Sequence, residues 1–142
     1  MKVLALNISE KKGTIKKPVP QVLINQLGIV GDAHAGDHHR QISLLAQESI
    51  TRFESVLGRP LAFGEFAENI TTEGIELVKL PVGTRLKLGE VVMQVTQIGK
   101  ECHGHGCAIF TQVGKCVMPK EGIFCRVIEG GKLAEGDRIT IL

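Results

Sequence analysis

With 142 residues, 43% of them hydrophobic and 23% charged, the chain has the composition of one ordinary globular domain, 1–142, long enough to bury a real core. Its formal net charge of +2 is too mild to argue for a nucleic-acid or anionic-membrane partner. The aromatics amount to 4% and are all Phe, which leaves no stacking platform for single strands. No apolar run approaches the roughly 18 residues of a membrane span.

Val3 to Ile8 is apolar and strand-like, and it meets Asn7, Ser9 and Glu10 too early for a signal peptide. The expected compartment is therefore cytoplasmic and reducing, where four cysteines serve as metal ligands, nucleophiles or buried filler rather than disulfides. Ser9 to Pro20 reads as a loop, and its paired lysines (Lys11-Lys12 and Lys16-Lys17, the only basic cluster) as solvated. Gln21 to Val30 resumes a β-branched pattern ending near Gly28. A polar segment follows, Gly31-Asp32-Ala33-His34-Ala35-Gly36-Asp37-His38-His39-Arg40, and then a short apolar strand, Gln41 to Leu45.

Ala46 to Leu57 is the one clear helix. Ile50, Phe53, Val56 and Leu57 recur at helical spacing, and Gly58 ends it. Past a proline-marked loop, Thr84 to Leu88 and Val91 to Ile98 alternate polar with apolar around a Gly89-Glu90 connection, as a hairpin should. Ala108 to Val113 reads as a short helix or turn, Gly122 to Ile128 as a strand and Arg138 to Leu142 as a closing strand. Many short strands joined by glycine turns predict a mainly β fold, a closed or nearly closed β-barrel with one or two short helices.

The chemistry concentrates in Gly99-Lys100-Glu101-Cys102-His103-Gly104-His105-Gly106-Cys107. Glycines at 104 and 106 let this loop curl, and a thiolate beside Lys100, His103 or His105 is nucleophilic at neutral pH. Burial as a small hydrophobe is the competing reading; it suits Cys125, inside an apolar strand, while Cys116 is open. Zinc is weaker, because four donors within six residues strain to reach one ion without a second knuckle from Cys116 or from His34, His38 and His39. Upstream, Arg40 can fork onto a phosphate or carboxylate with the histidines adding donors. The bland alternative there is a polar turn in which Asp32 binds its own backbone. Taken alone, Glu68-Asn69 reads as a turn or cap.

Taken together, Gly31-Asp32-x-His34, His39-Arg40-Gln41-Ile42-Ser43-Leu44-Leu45, Gly64-x-Phe66-x-Glu68-Asn69-Ile70, Pro81-Val82-Gly83-Thr84-x-Leu86-x-Leu88-Gly89-Glu90, the cysteine loop, Gly122-Ile123-Phe124-Cys125-Arg126-Val127-x-x-Gly130-Gly131 and Gly136-Asp137 form an ordered series. The series resembles the MOSC domain, the module named for the C-terminal part of molybdenum cofactor sulfurase, in a stand-alone bacterial form.

That resemblance implies a β-barrel whose cysteine carries sulfur received from a pyridoxal-phosphate-dependent cysteine desulfurase, or holds molybdenum cofactor (molybdopterin). Cys102 matches the family cysteine best, with Cys107 an equally fair match; either would be the persulfide-forming or metal-binding thiol. Arg40, Glu68 and Asn69 match motif positions and carry over as site-lining candidates. His34, Lys100, His103 and His105 complete the expected cofactor-binding set. The implied partners are the desulfurase and the enzymes of molybdenum cofactor biosynthesis or use. The competing function is a non-catalytic module that grips zinc, molybdate or tungstate. A small molybdenum reductase ranks last, because it needs an electron-partner domain supplied by another protein.

Overall fold

A computed structural model describes residues 1–11, 15–99 and 121–142, with only the backbone described at Leu57. Lys100, Cys102, His103, His105, Cys107 and Cys116, and the helix or turn expected over 108–113, lie outside the described residues. The described residues contain eleven strands, β1 (Lys2–Ile8), β2 (Lys17–Val19), β3 (Gln21–Asn25), β4 (Gly28–Ile29), β5 (Ile42–Ala46), β6 (Ile70–Glu73), β7 (Arg85–Leu88), β8 (Val91–Ile98), β9 (Ile123–Glu129), β10 (Gly131–Ala134) and β11 (Ile139–Ile141). One α-helix, α1 (Gln47–Leu57), and a single 3-10 turn, Leu77–Lys79, complete them. The fold is mainly β, as expected. Among the described residues no helix is long and apolar enough to cross a membrane.

Eight strands form one sheet in the order β11-β7-β8-β9-β5-β6-β1-β2, and β10-β3-β4 form a second. The sheet bends far enough for its first strand to meet its last. Lys2 bridges Arg138, the Val3 N–H donates to the Asp137 carbonyl at 2.8 Å, and the Ile139 N–H donates to the Met1 carbonyl at 3.0 Å. These contacts are short of a continuous closing ladder, so a closed barrel is not what the described pairings amount to.

β5 occupies the centre of the sheet, and its sequence shows why. It is buried along its whole length, because its two faces meet different cores. Ile42, Leu44 and Ala46 join the large aliphatic cluster between the sheets. Leu45 faces the other way, into a smaller cluster with Ile50, Leu61, Phe66, Ala67 and Phe124, against which Phe53 packs edge-on to Phe66. Each large side chain buried there contributes roughly 1.5–3 kcal/mol. α1 seats Ile50 and Phe53 in that cluster, while Val56, expected on the same stripe, is 70% exposed. Among the described side chains of α1, it is Ile50 and Phe53 that meet the cluster. Its end is as expected: Gly58 adopts the left-handed conformation (φ 72°) and donates to the Glu54 carbonyl.

Four elements depart from the sequence reading. The Ser9–Pro20 loop contains β2, an outermost strand; its Pro18 sits opposite Asn7, where a missing N–H costs least. Gln21–Val30 is a β3–β4 hairpin rather than one strand. β10 continues directly from the Glu129–Gly131 turn and pairs with β3. β6 is the largest surprise, running parallel to β5 with α1 as the crossover. A four-residue Ile-Thr-Thr-Glu segment has too little alternation to announce itself.

Candidate functional site

The route to Arg40 begins with Gln41, which is buried. Its amide donates to the carbonyls of Gln26 (2.9 Å) and Gly36 (2.8 Å), and its oxygen accepts from the Val127 N–H at 2.8 Å. Three separate segments are thereby tied to the residue entering β5, so the preceding residues have a fixed exit. Arg40 leaves that anchor half-buried, with its guanidinium carbon 5.5 Å from the centroid of the Phe124 ring on β9. Its Nε donates to Oε1 of Gln97 at 2.9 Å. His39 reaches the same oxygen through Nε2 at 2.8 Å. Thr96 donates through Oγ1 to the His39 and Phe124 carbonyls, linking the segment to both strands.

Gln97 then donates through Nε2 to the Gly99 carbonyl at 2.6 Å, and the Gly99 N–H closes the β8–β9 pair by donating to Gly122 at 2.7 Å. Residues 100–120, with both loop cysteines, connect these two strand ends. Arg40 and His39 therefore stand at the root of the thiol-bearing segment although 57 and 58 residues of sequence separate them from Gln97. Sequence reasoning did not single out Gln97. On a strictly alternating strand it is one more polar position, but the pairing register shifts between Val95 and Gln97, and such irregularities re-aim side chains at strand ends. Arg40 Nη1 and Nη2 make no hydrogen bond among the described residues.

Asp32 and His34 sit elsewhere. The Asp32 side chain is fully buried and pairs with Lys16, whose ammonium is equally buried, at 2.7 Å. Its Oδ1 also accepts the Ser9 N–H at 3.1 Å, and its Oδ2 accepts the His34 N–H at 3.0 Å. The expected backbone turn at Asp32 is present. Lys16, expected in solvent, is instead the largest fully buried side chain. Burial alone would raise the Asp32 carboxyl, but the hydrogen bond and charge of Lys16, with the two backbone N–H groups, more than offset it and hold it below its ordinary value. The His34 ring lies against this pair, with Nδ1 3.9 Å from Asp32 Oδ2. A cavity of about 490 Å³ lined by Ile8, Ser9, Glu10, Lys11, Ile15 and Lys17 flanks this corner.

Glu68 and Asn69 are both completely buried. Asn69 binds across to β5: Oδ1 accepts from the Ser43 N–H (3.0 Å) and Oγ (3.1 Å), while Nδ2 donates to the Asn7 carbonyl at 3.2 Å. Glu68 Oε2 accepts from the Gly64 N–H (3.1 Å) and from Thr71 Oγ1 (2.9 Å), and Asn7 Nδ2 donates to the Glu68 carbonyl at 3.2 Å. The pair thus stitches β1, β5 and β6 together at depth. Desolvation pushes the Glu68 carboxyl above its ordinary value, despite the donors on Oε2. Its Oε1 and Asn7 Oδ1 have no hydrogen-bond partner among the described residues.

Among the described residues no three His, Cys, Asp or Glu side chains form a metal-binding group. Cys125 is buried in the large core, and burial pushes its thiol far above the ordinary range. It is filler, as its sequence context indicated.

A family model described as "MOSC domain" matches residues 31–140. The protein YflK of Bacillus subtilis (strain 168), described as uncharacterized, is 25% identical over 147 residues. That alignment covers 92% of this chain and 63% of YflK, so this chain spans somewhat under two thirds of its relative. Among solved structures, YiiM from Geobacillus stearothermophilus superposes with a TM-score of 0.79 at 23% identity, covering 99% of this chain and 74% of that one. The YuaD protein of Bacillus subtilis superposes with a TM-score of 0.77 at 20% identity, covering 97% and 93%. At such identities these likenesses establish the fold alone.

Proposed function

This chain belongs to the MOSC domain family, and from that premise we propose that it is a sulfur carrier of molybdenum cofactor chemistry, loaded on Cys102 or Cys107. The observation that carries the reading is the placement of Arg40 and His39 against Gln97, at the strand ends from which residues 100–120 depart. A cation fixed there lowers the cost of a thiolate brought to it and offers an anionic group two nitrogen donors that have no partner among the described residues.

In the loading step the loop thiolate attacks the outer sulfur of a persulfide on a cysteine desulfurase. One S–S bond forms on this chain as one breaks on the donor, the donor cysteine leaves as thiolate, and no external oxidant is consumed. Lys100, His103 and His105, its neighbours in sequence, are the side chains expected to favour that thiolate. A reducing, cytoplasmic setting suits the chemistry.

Molybdopterin fits the described residues in one respect, since the Nη donors of Arg40, which have no partner among those residues, suit its phosphate. When bound, it supplies a metal that takes or gives up a terminal sulfur. Arg40 would hold the phosphate and His39 stand beside it, with the loop thiols as the soft ligands. Glu68 and Asn69 would act from behind, by fixing β5 and with it the exit of Arg40. The meeting of 1–3 with 137–139 supports reading the sheet as a nearly closed barrel with this site at one rim.

Intact-mass measurement after incubation with a cysteine desulfurase and cysteine is expected to show a sulfur adduct. The Cys102→Ser, Cys107→Ser double variant is expected to lose it. Absence of both an adduct and molybdopterin binding overturns the reading, and stoichiometric zinc, molybdate or tungstate with inert thiols would establish a binding module instead.

A further inference from the structure

Gln97 makes its three contacts with partners that leave no choice of amide orientation. The Gly99 carbonyl only accepts, so the amide nitrogen must face it, at 2.6 Å. Arg40 Nε only donates, so the amide oxygen must face it, at 2.9 Å. The two constraints agree, and they determine the third contact. His39 Nε2, 2.8 Å from that same oxygen, has to carry a hydrogen, so in the neutral ring Nδ1 holds the lone pair. The ring is exposed, and no described residue donates to Nδ1. Beside it, both Nη groups of Arg40 are without described partners.

We propose that Gln97 is the positioning residue of this site, setting Arg40 and His39 as a donor–acceptor pair for a phosphate-type group that brings an anionic oxygen to the guanidinium and a P–OH to His39 Nδ1. The proposal rests on the reading of this rim as the functional site and adds the ligand class and the residue that orients its holders. Without Gln97 the imidazole is free to take either tautomer, and the guanidinium loses its only described hydrogen bond to a side chain, keeping the Phe124 face.

The test uses the intact chain with inorganic phosphate as the probe, followed by ¹⁵N NMR of the His39 ring. The wild type is expected to show a protonated Nε2 and an unprotonated Nδ1 in the neutral ring, with the Nδ1 signal moving on addition of phosphate. In Gln97→Leu the two tautomers are expected to mix, and phosphate to bind about tenfold more weakly, as the loss of one charge-assisted contact implies. Gln97→Glu keeps the accepting oxygen and is expected to keep the Nε2–H tautomer while repelling phosphate, which separates positioning from general damage. A protonated Nδ1 in the wild type, an unchanged tautomer in Gln97→Leu, or phosphate that leaves the His39 signals unmoved each overturns the proposal. Sulfur loading enters none of these readouts, so failure of the carrier function and failure of this inference are told apart.

Discussion

Removing the charge of Asp32 is the most informative perturbation of the frame. In Asp32→Asn the Lys16 ammonium remains fully buried, loses the carboxylate 2.7 Å away and keeps the Ser9 Oγ at 3.2 Å. The N–H groups of Ser9 and His34, at 3.1 and 3.0 Å, then compete for one amide oxygen. Breaking a buried ion pair by removing one partner costs about 3–5 kcal/mol, most of it the uncompensated charge. For a chain of this size that lowers the melting temperature on the order of 10 °C. Adding Lys16→Met to Asp32→Asn removes the buried charge that has lost its counter-ion, so the double variant is expected to be more stable than the single one. Chemical denaturation at pH 7 reads both. A single variant within about 1 kcal/mol of wild type, or a double variant no better than the single, would show that the pair is not held dry and that the reasoning fails. The pH dependence has a definite sign. A carboxyl held below its ordinary value contributes stability that is present above about pH 4 and is lost as pH falls through the lowered folded value.

Three further outcomes follow from neighbouring geometry. Gly64→Ala places a Cβ 2.2 Å from the Lys16 carbonyl oxygen, at a position with φ of 82°; since the obstacle is backbone, we expect a loss of about 2–4 kcal/mol by thermal denaturation. Glu68 has the opposite linkage to Asp32. Its raised carboxyl favours folding most below about pH 4, and that contribution fades as pH rises through the folded value, so Glu68→Gln is expected to flatten this part of the stability–pH curve. Alkylation of the native protein with peptide mapping is expected to spare Cys125, whose thiol is both enclosed and hard to ionise; labelling there at the rate of a free thiol would mean the core opens.

What the sequence disclosed is what local physics decides. The α1 stripe begins at Ile50 and ends at Gly58, the β7–β8 hairpin alternates around Gly89-Glu90, and Cys125 sits in an apolar run; each needs only its neighbours to be read. What it withheld depends on contacts between distant segments. Lys16 looks like a surface lysine until Asp32, 16 residues away, is brought beside it. Val56 fits the helical period, yet no sheet lies beneath it. β6 is too short to be periodic and is held by its parallel pairing with β5. Gln97 became visible only when a register shift and a 57-residue separation were both resolved.

The motif residues divide along a physical line. Asp32, Gln41, Glu68 and Asn69 are all buried, and each has its hydrogen bonds spent on backbone or on other frame residues. His39 and Arg40 come between Asp32 and Gln41 in sequence, yet they reach the surface and turn their side-chain nitrogens to Gln97. A frame residue acts on chemistry only through the backbone it holds in place, so replacing it is expected to lower the melting temperature whenever it changes binding. Arg40→Gln removes a guanidinium that rests on Phe124 and makes one described side-chain hydrogen bond, so stability is expected to fall by no more than about 1 kcal/mol. Phosphate affinity in the same variant is expected to fall at least tenfold, because the partnerless donors are gone. Calorimetry and titration on that one protein separate the two classes: a large stability loss with unchanged affinity would move Arg40 into the frame and leave this rim without a cation of its own among the described residues.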